Sequence, residues 1–233
     1  MKRVKIIFLR HAKTEMNQNQ IIQGWSDSPI TQESLMLIKQ KADSLESIKF
    51  HSAYSSDLDR AYTTCSLLLE HLNLNEIKVV KSELFREFNY GYFENKHEKY
   101  LVEEVTRWIK KNYNLIDKLK LRFLEDKSLK TKVIMDTISK LDNQYNRNSE
   151  NPILNYIETY DSVLDRVNRM KILFKNHPDE TLLIVSHGHF LNFLLHVLFN
   201  DQKIVPSRIP NLSGFQIDYL IDEEIFINLS YIN

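Results

Sequence analysis

The segment Val4-Lys5-Ile6-Ile7-Phe8-Leu9-Arg10-His11-Ala12 changes character partway along. Val4–Leu9 is an apolar run of strand length, and it gives way abruptly to an arginine and a histidine. In open α/β sheets, the crevice beyond the carboxyl end of a strand is where chain segments converge on a ligand. A distant segment repeats the pattern. Leu182-Leu183-Ile184-Val185 is strand-like, Ser186-His187-Gly188 follows, and an apolar helix comes next. Two strand ends that each deliver a histidine point to one site assembled from opposite halves of the chain.

Between these strands, polar punctuation followed by helical periodicity orders the remaining elements. Thr31–Leu45 predicts a helix with Leu35, Ile38, Ala42 and Leu45 on one face. Ala53-Tyr54-Ser55 reads as a short strand, with Ser56 as the N-cap of a helix reaching about His71. Val79-Val80 reads as an edge strand, and Ser162–Phe174 carries Val163, Val167, Met170 and Phe174 at helical spacing. Phe215–Leu220 and Ile225–Leu229 read as closing strands, a hairpin around Asp222-Glu223-Glu224. Strands alternating with helices predict an α/β fold: a three-layer sandwich whose mainly parallel central sheet is flanked by helices.

Residues 96–150 stand apart, with no Gly or Pro and 13 Lys/Arg against 9 Asp/Glu. Their apolar positions recur irregularly: Leu101, Val105, Trp108 and Ile109, then Leu115, Leu119 and Phe123, then Val133, Ile134, Ile138 and Leu141. Two or three inserted helices are expected there, with polar Asp142–Glu150 as a loop.

The 233 residues suit a single domain spanning 1–233 and carrying that insertion. A formal charge of zero excludes a nucleic-acid binder that works through overall charge. The single cysteine, Cys65, falls on the helical series Leu58, Ala61, Cys65, Leu68, Leu72 and reads as core packing. Thr181–Asn200 carries no formal charge, yet Ser186, His187, His189, Asn192 and His196 are costly in lipid. Strand, turn and buried helix is the better account, with no membrane partner. Met1-Lys2-Arg3 is basic, but the apolar stretch after it breaks at Arg10, short of a signal sequence. A cytoplasmic protein is expected; its oligomeric state is not encoded in any pattern here. Gly24, Gly91 and Gly188 account for three of only four glycines, and they sit inside the motifs below.

Those motifs resemble the histidine phosphatase superfamily, which includes cofactor-dependent phosphoglycerate mutases. Leu9-Arg10-His11-Ala12-Lys13-Thr14-Glu15-Met16-Asn17 resembles its signature, with Ala12 where glycine is most usual. Gln23-Gly24-Trp25-Ser26-Asp27-Ser28-Pro29-Ile30-Thr31 is similar to the segment that follows it. Ser55-Ser56-Asp57-Leu58-Asp59-Arg60-Ala61 resembles the stretch with a second phosphate arginine. Arg86-Glu87-Phe88-Asn89-Tyr90-Gly91 resembles the acid motif. Glu158-Thr159 with Arg166 resembles a later helix signature, and Val185-Ser186-His187-Gly188 closes the set. Departures occur at Ser34, Leu37-Ile38 and Ile157, none of which removes a catalytic group.

The resemblance implies His11 as a nucleophile that becomes phosphorylated, and Glu87 as the acid and base for leaving oxygen and water. It further implies Arg10 and Arg60 as cations around the phosphate, with His187 a third if protonated, and Asn17, Gln23, Gly24 and Gly188 around the substrate. Residues 96–150 would be the family's variable cap. The chemistry is coherent: neutral imidazole is nucleophilic near pH 7, and guanidinium forks match phosphate oxygens. His11 then needs its other nitrogen to donate to a carbonyl or carboxylate. Bland readings exist beside these. Arg60 alone would be a solvated helix arginine, and Glu87 alone a surface carboxylate partnered by Arg86. His187-Gly188-His189 lacks a nearby Asp or Cys to complete a metal site. His51, His71, His97, His177 and His196 have no motif context.

The expected activity is metal-independent hydrolysis of a small phosphorylated metabolite, with no cofactor. A mutase that returns the phosphoryl group to its substrate is the alternative, and a weakly active phosphate-ester binding module is a second.

Overall fold

The computed structural model describes residues 2–114, 127–145, 157–199 and 208–233. Six strands form one sheet: β1 (Arg3–Arg10), β2 (Ser52–Ser55), β3 (Val79–Lys81), β4 (Thr181–Ser186), β5 (Gly214–Leu220) and β6 (Ile225–Ile232). Their order is β3-β2-β4-β1-β5-β6. The pairs β1–β4, β2–β4 and β2–β3 are parallel, whereas β5 and β6 add an antiparallel hairpin at one side. Seven α-helices are present among the described residues: α1 (Glu15–Gln18), α2 (Gln32–Leu45), α3 (Asp59–His71), α4 (Glu98–Asn112), α5 (Lys127–Tyr145), α6 (Tyr160–Phe174) and α7 (Gly188–Phe199). The α/β sandwich with a mainly parallel centre is therefore the architecture of this chain.

Strand alternation explains the layers. Val4, Ile6 and Phe8 of β1, with Leu182 and Ile184 of β4, face a core built on α5, α6 and α7. Ile7, Leu9, Leu183 and Val185 face the other way, toward Ile38 and Ala42 of α2 and Ala61, Cys65 and Leu68 of α3. Both central strands are thus buried on both faces, which is why they read as continuous apolar runs. The uncharged stretch from Thr181 to Phe199 resolves into β4 and α7, and no described helix is long and apolar enough to cross a membrane.

Three helix starts follow their sequence signals. Thr31 caps α2 by accepting from the Ser34 N–H, and capping boxes open α1 at Thr14 and α6 at Thr159. The start of α3 differs from expectation. Ser56 accepts from Leu58 N–H instead of capping the helix, and the first-turn N–H groups of Asp59 and Arg60 go to the Asp27 carboxylate. A cap supplied by another segment removes the need for a local one.

Residues 96–150, where two or three inserted helices were expected, contain α4 and α5 among the described residues. The series Leu115, Leu119, Phe123 and residues 146–150 lie outside the described residues. Asp142 to Tyr145, expected in a loop, instead complete α5. Asp142 is buried and accepts from the Tyr92 N–H at 2.6 Å, so a tertiary contact carries the helix through a polar sequence.

Phe8 is fully buried and packs on Phe215 and Phe174, with ring centroids 5.2 and 6.4 Å away. Phe8→Ala is expected to cost about 3–5 kcal/mol, read from urea denaturation midpoints at unchanged slope.

Candidate active site

The parallel register pairs Arg10 with Ser186, and the His11 N–H continues the ladder by donating to the Ser186 carbonyl at 2.9 Å. The next residue along β4 is His187, so the two histidines emerge side by side, ring centroids 5.1 Å apart. A cavity of about 250 Å³ opens at this end of the sheet. Arg10, His11, Asn17, Gln23, Glu87 and Gly188 line it, so six of the nine residues singled out in the sequence share one wall. His187, Arg60 and Gly24 lie behind that wall.

His11 is almost wholly buried, and its Nδ1 lies 2.7 Å from the Ala12 carbonyl oxygen. A carbonyl only accepts, so Nδ1 carries the proton and Nε2 presents its lone pair. Burial, then the charges of Arg60 and Arg10, hold the His11 pKa well below the usual histidine range. His187 is shifted the same way, by burial first and then by Arg60, His11 and Arg10. The condition on which His187 would add a third cation, its protonation, is thus opposed by burial and by the neighbouring charges. Neither His187 ring nitrogen has a hydrogen-bond partner among the described residues. Leaving buried polar atoms unpaired costs about 1–3 kcal/mol each, and such atoms call for a functional account.

The arginines divide their work. Arg10 lies on the wall, with Nη1 donating to the Ile209 carbonyl at 2.8 Å. Burial pushes its pKa down to about 10, which leaves it charged at neutral pH. Gly188 lets this guanidinium lie close: a β-carbon there would stand 3.0 Å from Arg10 Cζ. Arg60 is neither a solvated helix arginine nor an open fork. Its Nη1 donates to Ser26 carbonyl and Asp27, and its Nη2 to the Gln23 and Gly24 carbonyls. Those bonds pin the Gln23–Asp27 segment, and only Nε lacks a partner among the described residues.

Glu87 is 5% exposed, and its carboxylate accepts from three backbone N–H groups: Phe88 at 3.1 Å, His189 at 3.0 Å and Phe190 at 2.8 Å. Two of those donors belong to the first turn of α7, a favourable place for an anion. Arg86 is not its partner, because it forms a bidentate pair with Asp57. On the same wall, the Tyr90 hydroxyl lies 2.8 Å from His189 Nδ1.

Several supporting residues carried no legible signal. Glu94, buried, accepts from the N–H groups of Gly24, Trp25, Ser26 and Tyr90 and from the Ser26 hydroxyl. Gly24 is required here, since a β-carbon would meet Glu94 Oε1 at 2.1 Å and Phe88 oxygen at 2.2 Å. Asn211 donates to the His11 carbonyl at 2.9 Å. Gln23 spends its amide on Thr14 and Ser28. Ala12, which stands where glycine is most usual in the resembled signature, is fully buried in the α2–α3 core and is not on the wall. No group of three His, Cys, Asp or Glu side chains suited to a metal occurs among the described residues.

Two strand-end histidines, with Arg10 on the cavity wall, thus lie together at one end of the sheet. A model of the histidine phosphatase superfamily (branch 1) matches residues 6–120. The 2,3-bisphosphoglycerate-dependent phosphoglycerate mutase of Buchnera aphidicola subsp. Cinara cedri is 30% identical over 221 residues, covering 88% of this chain and 89% of that one. Among solved structures, phosphoglycerate mutase from Bacillus anthracis superposes with a TM-score of 0.78 at 22% identity, covering 97% of this chain and 91% of that chain. Phosphoserine phosphatase from Entamoeba histolytica, in complex with 3-phosphoglyceric acid, does so at 0.61 and 17%, covering 99% and 97%. The chain belongs to the histidine phosphatase superfamily, a family of phosphatases and mutases.

The two depressed histidine pKa values set a stability window. An unfolded histidine takes up a proton near pH 6.5, and the folded ones resist it, so stability is full above that pH and falls as pH drops below it. Between pH 7 and pH 5 the wild type should lose more stability than a His11→Asn/His187→Asn double variant. Urea titrations at the two pH values check this.

Proposed function

We propose that this chain is a phosphomonoester hydrolase that works through a phosphohistidine on His11. The observation that carries the reading is the state of His11: neutral, with its tautomer set by the Ala12 carbonyl, on a cavity wall beside Arg10 and Glu87. The Nε2 lone pair attacks phosphorus while the ester P–O bond breaks, and Glu87 passes the proton that a monoanionic substrate brings in to the departing oxygen. Glu87 then takes a proton from water as that water attacks phosphorus. The P–N bond breaks and inorganic phosphate leaves. Arg10 binds the equatorial oxygens, and the unpaired His187 nitrogens supply a donor to the phosphoryl group on its neighbour. Arg60 acts by charge on His11 and by holding the Gln23–Asp27 segment. These groups supply the charge stabilisation without a metal or cofactor. A cavity of about 250 Å³ suits a small phosphorylated metabolite.

A mutase is the second reading, supported by Arg208 on the wall and by the names of the curated relatives. Against it, α4 contributes Glu98, Leu101 and Val102 to the cavity. A carboxylate and aliphatic groups there disfavour a second anionic anchor, which favours hydrolysis.

His11→Ala is expected to lower kcat/KM for an aryl phosphate by about 10³-fold or more, and to abolish an acid-labile phosphoryl label on the protein. Wild-type hydrolysis should persist in chelator. Rapid isomerisation of 3-phosphoglycerate with little hydrolysis would replace this reading by the mutase; retained hydrolysis in His11→Ala would remove the nucleophile.

A further inference from the structure

The chain that carries Glu87 is irregular, with one 3-10 turn at Glu83–Phe85 and no strand pairing of its own. Something outside it must fix where the carboxyl group sits. Arg166, on α6, donates through Nη1 to the carbonyl of Arg86 at 2.8 Å and to those of Leu84 and Glu83 at 3.3 Å each. Its Nη2 and Nε lie 3.0 and 2.9 Å from the two oxygens of Glu158. Glu158 in turn accepts from the Asn89 N–H at 3.2 Å. One ion pair thus grips the backbone on both sides of Glu87, carbonyls before it and an amide after it. The Arg166 guanidinium also stacks 4.6 Å over the ring of Phe190, whose N–H is a donor to the Glu87 carboxylate.

Stability alone is a poor reason for such a pair. Both partners are buried, and burial pushes the Glu158 carboxyl up despite the opposing charge of Arg166. Replacing a buried ion pair by apolar groups of similar size is often neutral or stabilising. What a planar guanidinium offers instead is several donors in a rigid fork, and so orientation. Neither Arg166 nor Glu158 lines the cavity, and the pair bonds to each other and to the backbone.

We propose that the Arg166–Glu158 pair is a positioning device that sets Glu87 within reach of the leaving oxygen, acting on proton transfer and not on phosphate binding. This rests on Glu87 being the general acid. Leaving-group dependence reads the role directly. In p-nitrophenyl phosphate the phenolate departs with little protonation, whereas glycerol 2-phosphate loses an alkoxide that must be protonated. The parameter to measure is kcat/KM, which ends with leaving-group departure and excludes the later water step.

Arg166→Lys keeps the charge and loses the fork. It should lower kcat/KM for glycerol 2-phosphate by about 10²-fold, while p-nitrophenyl phosphate changes by less than about threefold, with inhibition by inorganic phosphate unaltered. Glu87→Gln should show the same selectivity, larger in size. The double variant Glu158→Leu/Arg166→Met keeps the core filled but leaves the carbonyls and the Asn89 N–H without their partners, so its melting temperature should fall while the folded enzyme still shows the selective loss. Equal losses on both substrates in the Arg166 variants, beside a selective loss in Glu87→Gln, would overturn the positioning role and leave the general acid standing. No selectivity in Glu87→Gln would overturn the acid assignment and the positioning role with it. Failure of both Arg166 variants to fold would make the pair a folding element and reject the proposal.

Discussion

The parallel ladder between β1 and β4 is the contact from which the site follows. Because Arg10 is in register with Ser186, the residues just beyond the ladder are both histidines, and their rings touch. A slip of one residue would turn each strand's side chains to the opposite face and separate the pair. The apolar residues on both faces of β1 and β4 forbid that slip, so the same burial that stabilises the sheet aligns the two histidines. From this junction α7 departs, and its first free N–H groups take the Glu87 carboxylate.

Electrostatics at the junction are a balance between burial and neighbouring charge. Arg10 and Arg60 both push protons off His11, and burial works in the same direction, so the imidazole stays neutral. For Arg10, burial lowers the pKa while Glu87 raises it, and the side chain stays cationic. Carbonyl groups at Gln23, Gly24 and Ser26, with Asp27, surround Arg60 and let its charge lie inside the protein. Glu94 does the converse for an anion. It gathers the N–H groups of three consecutive residues, Gly24 to Ser26, and so shapes the loop that Arg60 holds from the other side.

Much of this was legible in the sequence. The central strands announce themselves because both faces are buried, and α2 and α6 because their caps are local. The start of α3 was not legible, since its cap is Asp27, thirty-odd positions upstream, and Ser56 offered a plausible false signal. Asp142 read as loop because polarity is a local cue, whereas its place in α5 depends on a contact with Tyr92. Arg60 and His187 lie close to His11 in the fold, and their state depends on burial that no spacing reveals.

By itself the sequence determined the alternation of strands and helices and the chemical inventory at the strand ends, because periodicity and residue type are local properties. Only the tertiary structure decided which of those groups line the cavity and which stand behind it. It alone shows that His187 is buried against His11, that Arg60 is occupied by carbonyls, and that Glu94, Asn211 and Asp27 hold the site together. Hydrogen bonds and desolvation join residues tens to hundreds of positions apart, and their geometry exists only once the chain has packed.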